Sequence, residues 1–232
     1  EHQKEGDQQL YISTQAYGAD GDDSSEIRVF GMDCEMVMTS LGSELARITL
    51  VQLKSFENDK LETTTVLDAL VKPENPIKDY LTRHSGITAE LLKPVSTRLP
   101  QIQVALWKFL RPTDILVGHS LENDFLAAHY IHPRVIDTSL VFQHRNKRTK
   151  FSLRHMSASL LKKTIQQGSH CSKEDAEATL ELAIRRAWLK DGFALPNMDE
   201  RRSILEKWNA ANEMKMVCIG PTAWLQTHVT NQ

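Results

Sequence analysis

One stretch constrains this chain more than any other: the apolar run VFGMDCEMVM at 29–38, interrupted by the carboxylates Asp33 and Glu35. A segment this apolar reads as a buried strand, and carboxylates inside one are costly unless something pairs with them. Residues two apart on a strand share a face, so Asp33 and Glu35 point together while Cys34 points away. Two solutions are open at this point. A hard divalent cation such as Mg²⁺ removes the repulsion between paired oxygens. Alternatively, a shared proton or a nearby arginine, for instance Arg47 on the next strand, stabilises the pair structurally.

The flanking pattern defines the architecture. After the strand at 28–38, LARITLVQL (45–53) and TTVLDALV (64–71) read as two more, joined by short connections into an antiparallel meander. Helical periodicity follows. Residues 76–81 read as a short helix, before the turn HSGIT around Gly86. Residues 100–110 place Ile102, Leu106, Phe109 and Leu110 on one face. DILVG (114–118) is a short strand, 120–130 a helix, RVID (134–137) a strand, and 151–162 and 173–189 helices. Three strands followed by alternating helix and strand predict an α/β fold with a mixed sheet flanked by helices. Segment 1–27 reads as a polar arm or linker and 28–189 as the main domain. Segment 190–232 reads as an extension, helical at 198–212 with a strand at 214–219.

Bulk properties narrow the function. With 232 residues, 41% hydrophobic and 25% charged, the chain has a globular profile. A net charge of −2 argues against a generic polyanion binder, so any nucleic-acid contact is local. No apolar run is long enough to span a membrane. The three cysteines, Cys34, Cys171 and Cys218, contain no C-x-x-C, which disfavours a zinc framework and fits a reducing compartment. No nucleotide-binding glycine loop or serine-hydrolase elbow is present. The chain does not open on methionine and reads as a piece of a longer protein, so no targeting signal is inferred.

Further carboxylates have compatible positions. D-x-E is a weak motif and recurs at Asp175–Glu177, but there, on a helix, the two side chains diverge. In GHSLENDFLAAH, Asp124 follows a short strand and shares a helix face with Leu121 and Ala128, so it points inward. Sites in open α/β sheets collect at such strand ends. In GSHCSKEDAEATLELAIRRAWL, Ser172 reads as an N-cap. Acidic residues in a first turn ordinarily complement the helix dipole. Asp175 nevertheless aligns with Thr179, Leu182 and Ala183 on the buried stripe. His170 precedes it in the entering loop, where a lone histidine is ordinarily a surface residue.

Together Asp33, Glu35, Asp124, His170 and Asp175 resemble the DEDDh 3′→5′ exonucleases of ribonuclease-H-like fold. MDCEMV, GHSLENDF, IDTSLVF and the HSGIT turn look closest to the Rex-type RNA exonuclease branch. The resemblance covers about 28–189. It implies a catalytic domain there, with three antiparallel strands plus parallel ones. It implies two Mg²⁺ ions, or Mn²⁺ in their place, held by Asp33, Glu35, Asp124 and Asp175, with His170 as general base. It also implies release of nucleoside 5′-monophosphates from single-stranded RNA 3′ ends and an intracellular, nuclear setting. A DNA-directed exonuclease on the same scaffold is the alternative, since RNA and DNA differ by 2′-hydroxyl contacts. A non-catalytic nucleic-acid-binding module would be expected to lack a ligand, and every ligand position is filled. Protein partners are not readable.

Other residues carry two readings each. The basic run QHRNKRTKF offers Arg145, Lys147, Arg148 and Lys150 to a phosphate backbone, or is a solvated loop or import signal. Met36 and Val37 contact the terminal nucleotide or belong to the core. His119 lines the pocket or makes a structural hydrogen bond. Asp137 reads as a cap or a supporting residue. His129 and His132 lack a third zinc ligand. With no base evidently paired to it, Cys171 is not the nucleophile; water is.

Overall fold

A computed structural model describes residues 11–14, 27–146, 149–189 and 193–198. In chain order the elements are β1 (Ile12–Ser13), β2 (Val29–Thr39), β3 (Gly42–Glu57), β4 (Lys60–Leu70) and β5 (Ile77–Asp79), then α1 (Thr82–Ser85), α2 (Ala89–Leu92) and α3 (Leu99–Phe109). There follow β6 (Ile115–Gly118), α4 (Leu121–Ala128), β7 (Tyr130–Ile131), β8 (Val135–Asp137), α5 (Thr138–Val141), α6 (Leu153–Met156), a π-helical turn (Ser157–Leu161) and α7 (Ser172–Leu189). The main sheet runs β4-β3-β2-β6-β8, with β5 pairing the far end of β2. β2, β3 and β4 form the antiparallel meander, while β6 and β8 add in parallel. The expected mixed α/β sheet is therefore present.

The two faces of β2 explain the layering. Phe30, Met32 and Cys34 face a core built with Ile102 and Leu106 of α3 and Leu121, Phe125 and Ala128 of α4. On the opposite face α7 lies directly on the sheet through Ala176, Leu180 and Ala183, against Val51 and Val117. Its close approach depends on Gly31. A Cβ there would stand 2.6 Å from the Ala176 carbonyl oxygen and 2.8 Å from Leu180 Cγ. Farther along the same face Val37 is fully buried with Ala46, Ile87 and Leu92. Asp33 and Glu35 thus occupy the gap between two packed layers, α7 on one side and the α1–α2 segment on the other.

Several local expectations differ from the structure. Residues 77–79 form a strand, not a helix, because Met38 and Thr39 at the end of β2 offer an unpaired edge. The helix begins at Thr82 instead. The helix expected over 151–162 is α6 followed by the π-helical turn. Ser172 is the first residue of α7, and its hydroxyl bonds Thr49 Oγ1 at 2.6 Å. Part of the polar arm is ordered: β1 pairs in parallel with β7, and Thr14 Oγ1 meets the Tyr130 hydroxyl at 2.8 Å. The helix and strand expected at 198–212 and 214–219 lie outside the described residues, apart from Met198. No helix among the described residues is long and apolar enough to cross a membrane.

Gly31→Ala should destabilise the fold by about 2–3 kcal/mol, because the clash is with backbone that cannot rotate away. Urea unfolding followed by circular dichroism measures this.

Candidate active site

The gap on β2 collects the carboxylates from three elements. Asp33 and Glu35 project from the strand, opposite Thr49 and Arg47 of β3. Arg47 turns away, donating from Nε and Nη2 to Asp68, both at 2.8 Å. The arginine reading of the pair is therefore only partial: Arg47 eases the charge on Glu35 but spends its hydrogen bonds on Asp68. Asp175 arrives from the first turn of α7, buried as its helical stripe requires. The Thr49–Ser172 bond ties that turn to the strand beside Asp33.

Asp124 arrives from the other face, around an open edge. β6 pairs with β2 only from Val29 to Gly31, and β5 only from Met38, so among the described residues no strand covers the edge between them. There Asp124 comes close to Cys34, whose thiol and backbone amide favour its charged form. Its helix is aimed by Asp137. One carboxylate oxygen accepts from the Ser120 amide at 2.9 Å and the Ser139 amide at 2.8 Å, and the other from the Leu121 amide at 2.9 Å. Asp137 thus caps α4 and α5 together, satisfying amides that a helix start leaves orphaned. That is the capping role its position before Thr138 predicted.

His170 closes the gap. Its Nδ1 lies 3.6 Å from Asp175 Oδ2, and its side chain remains about one-third exposed, at 34%. The loop carrying it is pinned to the HSGIT turn: the His170 amide donates to the His84 carbonyl at 2.7 Å. Gly86, at φ +66°, ends α1 and passes within 3.2 Å, at its Cβ position, of Ser169. The His84 ring meets the His170 ring edge-on, with centroids 6.0 Å apart. His84 was not singled out as a site residue; the only sequence signal was the turn motif it opens. Gln166 was also missed, and its Nε2 donates to Asp175 Oδ2 at 2.9 Å. No spacing rule connects a loop glutamine to a helix nine residues on.

The electrostatics follow from this crowding. Burial, then the Asp175 carboxyl, push the Glu35 pKa up to about 8 against the easing effect of Arg47. Burial raises Asp124 to about 8 despite the easing effect of nearby Cys34, and Asp175 to about 6 despite Gln166. Asp33 is driven well above its ordinary value by burial and then by Asp124, Asp175 and Glu35. His170 moves the opposite way, lowered by burial and by the nearby His84 and Arg154. The arrangement holds carboxyls partly protonated and an imidazole neutral near physiological pH.

A divalent cation fits this donor set. Glu35 Oε1 and Asp175 Oδ1 are buried without a hydrogen-bond partner. The remaining donors are also carboxylate oxygens, which suit Mg²⁺ or Mn²⁺. The side chains are neighbours rather than a closed cage: among the described residues no three stand in ligating geometry.

The substrate-contact candidates are placed differently. The Val37 side chain is core, 0% exposed, and Met36 packs against the main core. His119 Nδ1 bonds Thr138 Oγ1 at 3.0 Å, so the ring tethers the end of β6 to α5. Arg145 is exposed, its Nε donating to the Met198 carbonyl at 3.2 Å. Lys150 is paired with Glu122 and reaches Ser120 Oγ at 3.2 Å. Lys147 and Arg148 lie outside the described residues.

This fold and site define an exonuclease domain. A model of the exonuclease family matches residues 30–183, and the chain belongs to that family. RNA exonuclease 5 of Bos taurus is 44% identical over 185 residues, covering 78% of this chain and 22% of its own. RNA exonuclease 1 of Saccharomyces cerevisiae is 43% identical over 156 residues, covering 66% of this chain and 27% of its own. The chain thus spans about a quarter of these relatives' length. Among solved structures, the Neurospora crassa Pan2 catalytic unit superposes with TM-score 0.61 at 29% identity over 74% of this chain and 29% of that one. The Saccharomyces cerevisiae Pan2 exonuclease module, in complex with AAGGA RNA, gives 0.60 at 28% identity over 80% and 34%.

The raised carboxyls set the pH response of the metal-free protein. A carboxyl with a raised folded-state pKa stabilises the fold below its unfolded value, and that contribution is lost as pH rises through the folded value. In EDTA, stability should therefore fall between about pH 4 and about pH 8, the span from unperturbed carboxyls to the values near 8 for Glu35 and Asp124. Mg²⁺ should flatten that decline and release protons on binding. Thermal melts across pH, and calorimetry in buffers of different ionisation enthalpy, measure the two effects.

Proposed function

We propose that this domain is a metal-dependent 3′→5′ exoribonuclease that removes nucleoside 5′-monophosphates from single-stranded RNA 3′ ends. The observation carrying the reading is the cluster of four mutually crowded carboxyls, two with unpartnered buried oxygens, beside a neutral imidazole. The names of the RNA exonucleases among its relatives, and the RNA in the Pan2 complexes, support RNA as the substrate class. Asp33, Glu35, Asp124 and Asp175 would hold two Mg²⁺ or Mn²⁺ ions. Such ions, when bound, neutralise charge on the phosphate and on the attacking and leaving oxygens.

The chain's own groups supply the proton chemistry and the alignment. Water attacks phosphorus, the bond to the 3′ oxygen of the preceding nucleotide breaks, and the terminal nucleotide leaves with its 5′ phosphate. His170 takes the proton of the attacking water. Its Nδ1 faces Asp175, so Nε2 is the nitrogen left to accept. Its lowered pKa keeps it in the accepting form at physiological pH. Asp137 and Gly86 fix the elements that carry Asp124 and His170. A catalytic domain at 28–189 with flanking extensions, in a nuclear setting, completes the reading. Fluorescence microscopy of the tagged full-length protein tests that location.

The deciding experiment is digestion of matched RNA and DNA oligonucleotides, labelled at either end, with Mg²⁺ and with EDTA. Stepwise shortening of RNA from the 3′ end, abolished by EDTA, is expected; 5′ shortening or EDTA-resistant cleavage would defeat the reading. Asp33→Asn and Asp124→Asn should nearly abolish digestion while the melting temperature in EDTA does not fall. His170→Ala should cost about 10²–10⁴-fold in kcat with Mg²⁺ uptake retained.

A further inference from the structure

The basic run 143–151 was the expected source of phosphate contacts, yet the two cations of it named above that the structure describes, Arg145 and Lys150, are engaged within the protein. The next cation along the chain is Arg154, on α6. It is exposed, and its side chain makes no hydrogen bond or ion pair among the described residues. Its backbone is nonetheless firmly placed. Leu153 and Met156 on either side are buried in a core shared with Ala178 and Leu182 of α7. Ser152 caps the helix, accepting from the His155 amide at 3.3 Å. The helix that positions Arg154 is thus seated on the one that carries Asp175, with His170 in the loop entering it. The guanidinium is close enough to His170 for its charge to be felt there. The exposed His84 ring also meets the His170 ring, edge-on.

We propose that Arg154 is a substrate-binding residue. Its guanidinium grips the non-bridging oxygens of a phosphodiester of the RNA strand at the mouth framed by His84 and His170. The inference rests on the exoribonuclease reading above and adds a specific contact to it. Three physical points favour this use. An arginine fork matches phosphate oxygens bidentately. A cation without an ion pair among the described residues, near His170, is poised to attract an anionic strand to an acidic site that would otherwise repel it. A guanidinium reading only phosphate carries no base preference, which suits an enzyme that removes successive nucleotides whatever their identity.

The test uses the full chain, Mg²⁺ and a 5′-fluorescein-labelled single-stranded oligoribonucleotide, across a series of KCl concentrations. Arg154→Gln should raise KM about tenfold, the size of one charge-assisted hydrogen bond, with kcat within about twofold. The slope of log KM against log [KCl] should become shallower by about 0.7, as expected for one lost phosphate contact on a single strand. Arg154→Lys should keep the slope and show an intermediate KM, because charge survives while the fork does not. It also carries the test should the glutamine variant fold poorly. Unchanged KM and slope in Arg154→Gln, with wild type digesting RNA normally, would overturn this contact alone. A wild-type protein that leaves RNA intact would overturn the functional reading beneath it.

Discussion

Four carboxyl groups share a space too dry for all of them to be charged, and much of this molecule is arranged around that conflict. Asp33, Glu35, Asp124 and Asp175 each raise the cost of ionising a neighbour, and burial raises it further. A fold gains nothing by assembling such a group for stability, since apolar residues would fill the same gap at lower cost. The conflict makes sense as stored affinity for cations, with Glu35 Oε1 and Asp175 Oδ1 held in reserve.

Holding the conflict in place takes a small number of rigid contacts. Gly31 lets α7 lie on the sheet, which lowers Asp175 toward the strand. Asp137 caps two helices at once and so sets the direction of α4 and Asp124. Gly86 lets the HSGIT turn pass close under the loop that carries His170. Each is a backbone or buried polar contact, so the reactive side chains are positioned by elements that cannot drift far. The charges on the far rim follow the same economy: most nearby cations are consumed by internal partners, and Arg154 is left facing outward.

The legible parts were those governed by short-range periodicity. Period-two alternation placed Asp33 and Glu35 on one face, and the helical stripe turned Asp175 inward. The strand-end position drew attention to Asp124. The misplaced parts depended on partners distant in sequence. Residues 77–79 became a strand because the end of β2 needed an edge partner. Arg145 and Lys150, read as phosphate contacts or as a solvated loop, lie at the surface with the Met198 carbonyl and Glu122 as partners. The Val37 side chain, read as a nucleotide contact or as core, packs against Ile87 and Leu92.

The sequence by itself determined which side chains exist to hold charge and which way each points from its own element, because those follow from local backbone geometry. It also carried the ordered motifs that mark the exonuclease family. Only the tertiary structure decided which of those side chains meet. Asp124 comes around a strand edge that no described strand covers, His170 is brought in by a turn more than 80 residues earlier, and Gln166 joins the site without any motif. Such convergence depends on how layers pack, and packing is a property of distant residues that no local pattern encodes.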